Sequence, residues 1–268
     1  MGAIRPVGEL LREWRQRRRL SQLDLACEAE ISTRHLSFVE TGRAVPSREM
    51  VLRLAEHLDV PMRERNALLL AAGFAPVFAE RTLDDPALEA ARGAVVVVLA
   101  RQKPYPAFAL DRQWRIVASN RALPQLYDGV AAELLAPPVN AMRLSLHPRG
   151  LAPRIGNLAE WRAHLLARLR RQIAVSGDAD LAALLRELLT YPAPEHDAPP
   201  PSPAAVLVPL RIATGAGTLS FFSTTTVFGT PLDVTLAELA VELFFPADDA
   251  TDAIVRRLDA EAAANSAS

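Results

Sequence analysis

SQLDLACEAEISTRHLSFVETG, residues 21–42, reads as two short helices joined by a tight turn. Ser21 is placed to cap the first, and Asp24, three residues on, suits the positive end of a helix. Leu25, Ala26 and Ala29 fall on one face, with the small Ala26 where a steeply crossing second helix needs room. Ile31 plugs the core after the turn, Ser32 caps the second helix, and Leu36 and Val39 follow at helical spacing. Gly42 closes it as a left-handed cap. The pattern is a helix-turn-helix.

The outward face of the second helix carries Ser32, Thr33, Arg34, Ser37, Phe38 and Thr41. Hydroxyls and a guanidinium in that arrangement can address base edges, with Arg34 suited to guanine in the major groove. The plainer alternative is a helical hairpin whose polar face is merely solvated. Gln22, Leu25, Ala26, Ile31, Leu36, Val39, Glu40 and Gly42, followed by Pro46 and Ser47, resemble the phage-repressor-like (XRE) DNA-binding domains. Gly8–Pro76 as a whole resembles the N-terminal half of bacterial regulators with a MmyB-like sensor domain. The expected DNA-facing set is Gln22, Ser32, Thr33, Arg34, Ser37, Phe38, Thr41 and Arg43, the last reaching the backbone. Glu30 departs from the family, which has glycine with positive φ at this turn position; a side chain there costs about 1 kcal/mol and tilts the second helix.

The 268 residues suffice for two domains, and with half of them hydrophobic a substantial core is expected. No apolar run reaches the ~20 residues of a membrane span, and MGAIRPVGELLREWRQ lacks the apolar stretch of a signal peptide, so a cytoplasmic protein with no membrane partner is expected. A single cysteine, Cys27, forms no internal disulfide and fits a reducing compartment. The net charge of −1 hides an uneven distribution. Residues 1–48 hold nine arginines against six acidic residues, net +3, which leaves −4 for the rest and concentrates positive charge at the DNA-facing end.

A first helix over Val7–Arg18 buries Leu10, Leu11 and Trp14 and turns Arg12, Arg15 and Arg19 outward, where they can meet phosphates. Ser47 caps a fourth helix, and a fifth ends at Gly73. Residues 1–76 thus form a five-helix domain, 77–85 a linker, and 86–268 a second domain. Pro86 starts a helix in which Leu88, Ala91, Val95, Val98 and Leu99 form a stripe, although Val95–Val98 also fits a buried strand. Ala107–Leu110 and Trp114–Ala118 read as a β-hairpin, and Asn120 caps a following helix with Leu123, Leu126 and Tyr127. Asn157–Ile173 is an amphipathic helix with Glu160 completing a capping box; a second helix covers Asp180–Leu189. The six prolines of Pro192–Pro203 predict an extended surface loop. Strands over Ala205–Ala213 and Thr218–Phe228 follow, then a helix capped by Thr235 and Glu238 that ends near Phe244, and a last helix from Asp248 or Asp249.

The expected class is α+β, an N-terminal all-α five-helix domain followed by an antiparallel sheet with flanking helices. The segments PAFALDRQWRIVASN, RLSLHP and SFFSTTTVFGTPLDVTLAELAVELFFP resemble the MmyB-like ligand-binding domain. That resemblance implies a PAS-like fold and an apolar ligand such as a fatty acid. His147, His164 and His196 lack zinc spacing, Glu160 and His164 read as a surface pair, and Ser223–Thr226 has no nucleophile elbow. Neither catalytic residues nor a cofactor or metal are expected. Phe221, Ser223 and Thr225 share one strand face, a mixture that suits an apolar pocket. Its expected lining is Phe108, Trp114, Trp161, Leu165, Phe221 and Thr225. The function expected is a homodimeric regulator, not an enzyme, that binds an inverted-repeat operator in double-stranded DNA and senses a small apolar molecule. An enzyme tethered to DNA and a docking module without a ligand are the alternatives.

Overall fold

A computed structural model describes residues 5–192, 207–229 and 231–266. The chain divides into two units. The first comprises Met1–Arg81, Ala174–Gly177 and Pro231–Ala237; the second takes the rest.

The first unit holds α1 (Val7–Arg17), α2 (Gln22–Glu28), α3 (Thr33–Glu40), α4 (Arg48–His57) and α5 (Met62–Ala71). Serines start three of them, because a hydroxyl oxygen satisfies an amide that the first turn leaves unpaired. Ser21, Ser32 and Ser47 accept from the amides of Asp24, His35 and Met50. Leu11, Leu25, Leu36, Val39, Leu54 and Leu69 meet in one core. Glu30 occupies the turn between α2 and α3 with φ 54°, the left-handed conformation a glycine would adopt without cost. Arg15 does not point outward as expected. Its guanidinium grips the buried Glu40 at 2.7 and 2.9 Å, since a carboxylate enclosed by the helices needs a cation beside it.

Gly8 is the contact point of α1 and α3: a Cβ there would lie 2.2 Å from the carbonyl oxygen of Val39 and 2.9 Å from that of Glu40. Arg81 and the buried Asp233 pair at 2.8 Å, and the Asp233 carboxylate also accepts from the Thr235 amide.

The second unit begins with α6 (Glu89–Arg101), after a 3-10 turn at Pro86–Leu88, and continues through β1 (Ala107–Leu110) and β2 (Ile116–Ser119). Next come α7 (Ala132–Leu135), α8 (Ala141–Leu146), α9 (Leu158–Ser176) and α10 (Ala179–Thr190). The chain closes with β3 (Leu210–Thr214), β4 (Gly217–Val227), α11 (Val234–Ala237, counted in the first unit), β5 (Ala240–Pro246) and α12 (Asp249–Ser266). The strands form one antiparallel sheet in the order β2-β1-β5-β4-β3.

Several expectations are corrected here. The helix expected from Thr235 to Phe244 is four residues long, and Asp233 caps it. Ala240–Pro246 is instead the middle strand, because β-branched and aromatic residues with partners on both sides gain more in a sheet than from a helical stripe. Asn157 stands at the start of α9, where its carbonyl accepts from the Trp161 amide and its side chain donates to Glu160 at 3.0 Å; the same side-chain amide also bonds the Pro209 carbonyl and the Arg211 N–H, tying α9 to β3. After Asn120 the chain makes only a 3-10 turn over Leu123–Leu126, and the Asn120 amide bonds Ala107, Tyr105 and Leu99. The proline-rich segment from residue 193, with His196, and the first residues of the strand expected from Ala205 lie outside the described residues.

One face of the sheet is covered by α6, whose Val95 and Leu99 pack on Ala107, Ala109 and Val241. The other face, with Phe108, Leu110, Leu210, Phe221 and Phe244, packs against α8 and α9 in the larger core.

Two glycines test this packing with opposite signs. Gly8→Ala should destabilise the first unit by about 1–3 kcal/mol, because the backbone of α3 cannot give way. Gly93→Ala, where a Cβ meets nothing within 4 Å, should stabilise α6 by about 0.5–1 kcal/mol. Urea unfolding of the two variants reads both values, and a loss at Gly93 would contradict the open face of α6.

Candidate functional site

Two sites emerge, one in each unit. In the first, α3 presents its outer face. Arg34 and Arg43 are exposed and both lie against the Phe38 ring, their guanidinium carbons 5.3 and 6.0 Å from its centroid. Ser32 and Thr41 are exposed at the two ends of the helix, and Thr33 and Ser37 are half-buried between them. The Ser32 hydroxyl oxygen accepts the helix-capping bond, and the Thr41 hydroxyl donates to the Ser37 carbonyl. Gln22 donates its amide to Glu40 at 2.8 Å, joining the Arg15 pair. Arg34 and Arg43 are therefore the cationic side chains of the set that project from this face.

In the second unit a narrow apolar cavity of about 60 Å³ lies between the sheet and α8 and α9. Along α9, Trp161, Leu165 and Arg168 recur at helical spacing and all face it. Phe108 and Leu110 line it from β1, Glu242 and Phe244 from β5, and Met142 and Ser145 from α8. Alternation along the strands explains the choice: Phe108 and Leu110, like Glu242 and Phe244, are two residues apart and share the inner face.

Trp114 enters from the turn between β1 and β2 with φ 64°, a conformation that a bulky side chain seldom adopts. The turn holds it there. The Asp111 carboxylate accepts from the amides of Gln113 and Arg115, and the Trp114 carbonyl accepts from Ala141. The indole N–H donates to Gln172 at 2.7 Å, and the Arg168 guanidinium lies over the ring, 5.0 Å from its centroid. Trp161 is fixed likewise, donating to Ser145 at 2.9 Å and stacking on His164. Burial first, and the charge of Arg168 second, lower the His164 pKa, which favours the neutral ring.

Glu242 is buried, 3% exposed, in the middle strand. Arg168 donates to both its oxygens, at 2.9 and 3.1 Å, and the hydroxyls of Ser223 and Thr225 donate at 2.7 and 3.0 Å. Burial alone would raise this carboxyl. The bonds and charge of Arg168, then the two hydroxyls, outweigh it and hold the group below its ordinary pKa, so it is a carboxylate at neutral pH.

Of the six residues expected to line a pocket, Phe108, Trp114, Trp161 and Leu165 meet at this cavity. Phe221 shares their side of the sheet but borders a separate hollow beside α12, and Thr225 reaches the cavity wall only through Glu242 and Arg168. Sequence reasoning missed Arg168 and Glu242. The helical spacing from Trp161 pointed to the first, and a lone acid inside AVELFFP to the second. Among the described residues, no cluster of His, Cys, Asp or Glu is arranged to hold a metal ion, and no helix is long and apolar enough to cross a membrane.

Residues 91–258 match the MmyB-like transcription regulator ligand binding domain, and residues 6–68 match a helix-turn-helix domain. No curated protein matches the chain. A solved structure titled "Structure of an RNA-binding Light-Oxygen-Voltage Receptor" is 13% identical over 94% of this chain, with a TM-score of 0.25. The match spans 62% of that protein, and a likeness this slight carries no argument.

The Arg168–Glu242 pair has a pH signature. With its folded pKa depressed, wild-type Glu242 contributes stability that is present above the unfolded value of about 4.3 and lost as pH falls below it. In Arg168→Met, burial acts on the carboxyl without its cation and raises the folded pKa, so stability falls as pH rises through the carboxylate range. The cost of the substitution should reach about 3 kcal/mol at pH 7 and shrink toward pH 4. Urea denaturation across that range measures it, and a pH-independent difference would contradict the assignment.

Proposed function

The chain belongs to the transcription regulators with a MmyB-like ligand-binding domain, and we propose that its cavity takes a small apolar ligand whose binding alters the affinity of the helix-turn-helix for an operator. The observation that carries this reading is the apolar cavity between the sheet and α9, placed inside the matched ligand-binding region. The family resemblance implies an acyl-chain ligand of the fatty-acid kind. Met142, fully buried in the wall, is unbranched and adaptable, so the cavity can widen around a chain.

In this reading residues 1–76 bind double-stranded DNA in the cytoplasm and residues 86–268 sense the ligand. One recognition helix covers one half-site, so a homodimer on an inverted repeat, with half-site centres ~10 base pairs apart or a multiple of that, supplies the specificity. Arg34 and Arg43, exposed beside Phe38, are the side chains assigned to the DNA, with Gln22, Ser32, Thr33, Ser37 and Thr41 around them. Arg34→Ala should cost about 1–3 kcal/mol on the operator and relax one base preference. An equal loss on random DNA, read by fluorescence anisotropy, would reassign Arg34 to phosphate.

Coupling is tested on the same operator. A ligand moves DNA affinity only through unequal affinities for the two states, and couplings of ~1–3 kcal/mol correspond to about 5- to 150-fold. Small molecules extracted from the purified protein and identified by mass spectrometry should produce such a change when added back. Leu165→Trp, which fills the cavity, should abolish the response while DNA binding without ligand persists. Unchanged wild-type affinity despite proven occupancy would refute the sensing reading.

A further inference from the structure

We infer that Phe38 reads the C5-methyl group of a thymine in the operator while Arg34 takes a guanine in the adjacent base pair, so that each half-site contains such a step and the methyl group contributes to its recognition. This rests on the operator-binding reading above and names the chemistry of the half-site.

Phe38 is half-buried on the outer face of α3 and is not among the residues packed on the core of Leu11, Leu25, Leu36 and Val39. A large apolar side chain held at a helix surface gains only when something apolar covers it. For a recognition helix the cover is the floor of the major groove, where the hydrocarbon on offer is the C5-methyl of thymine. The edges of the other bases present donors and acceptors, which a phenyl ring cannot answer.

The neighbouring polar groups narrow the choice further, because several already spend a bond inside the protein. The Ser32 hydroxyl oxygen accepts from the His35 amide, the Thr41 hydroxyl donates to the Ser37 carbonyl, and the Gln22 side chain donates to Glu40. Arg34, by contrast, is exposed, and among the described residues its guanidinium rests on the Phe38 ring and on no carboxylate. It lies one helical turn before Phe38, so the ring steadies it while its fork of N–H donors is left for the O6 and N7 of guanine. Successive base pairs stack about 3.4 Å apart. Two groups 5.3 Å from each other therefore address the same pair or adjacent ones, and a single pair cannot supply both a guanine and a thymine. Adjacent pairs follow. Arg43, 6.0 Å from the same ring and past the end of α3, is left for the phosphate backbone, which sets register and carries no sequence.

The test uses the full chain to select a duplex from a library of random sequences. Each thymine of the selected duplex is then replaced singly by uracil, which removes the C5-methyl and leaves the hydrogen-bonding edge intact. Fluorescence anisotropy should find one thymine in each half-site, beside a G·C pair, where the replacement weakens binding about fourfold, the worth of one buried methyl group. Phe38→Ala should bind the thymine and uracil duplexes equally, and Phe38→Leu, which keeps hydrocarbon at the position, should retain part of the discrimination. A selected duplex in which no thymine depends on its methyl overturns the inference and leaves the operator-binding reading standing. Selection of no sequence over random DNA overturns both. A Phe38→Ala loss that leaves the preference for thymine over uracil unchanged assigns the ring to packing and also overturns the inference. Should Phe38→Ala fail to fold, the uracil scan of the wild type alone decides.

Discussion

A carboxylate in the middle strand of a sheet must be answered by a cation or it does not stay ionised, and much of the second unit is arranged around that demand. Glu242 draws Arg168 from α9 across the inner face of the sheet, which fixes the rotation of the helix. With α9 so rotated, Trp161 and Leu165 face the same enclosure, and the Arg168 side chain supplies a plane on which Trp114 rests. The pair contributes less as stabilisation than as a register mark, since apolar replacements of buried ion pairs are often neutral or better. It orients the helix at the cost of a closed polar corner in an otherwise apolar cavity.

The first unit uses the same device. Glu40 ends α3 facing inward, and Arg15 from α1 with Gln22 from α2 converge on it. Three helices are thereby indexed by one carboxylate, while Gly8 lets α1 and α3 approach to backbone contact. The outward face of α3 follows from that inward fixation, so the positions of Arg34 and Arg43 depend on a network they do not touch.

The helical unit was legible in its sequence because its signals are local. Ser21, Ser32 and Ser47 mark helix starts, and Leu36 with Val39 marks a buried face within one turn. Arg15 was misread because its partner Glu40 is 25 residues away and helical spacing alone does not distinguish a phosphate contact from an internal ion pair. Ala240–Pro246 was misread for a related reason: its strand state depends on β1 and β4, which no window around it contains. Trp161, Leu165, Phe108 and Trp114 could be picked out as large apolar residues on consistent faces. Glu242 could not be placed while its segment was read as a helix, and without it the polar end of the cavity was invisible.

The pairing of Arg81 with Asp233 joins positions 152 residues apart inside the helical unit. Asp233 is buried and Arg81 is its cation, so neither can drift freely over generations: a lineage that loses one strands the other. The two positions should therefore be inherited as a linked pair. A recombination event that exchanged the N-terminal coding segment between relatives would be tolerated only where the incoming sequence carries a residue able to answer an aspartate encoded far downstream.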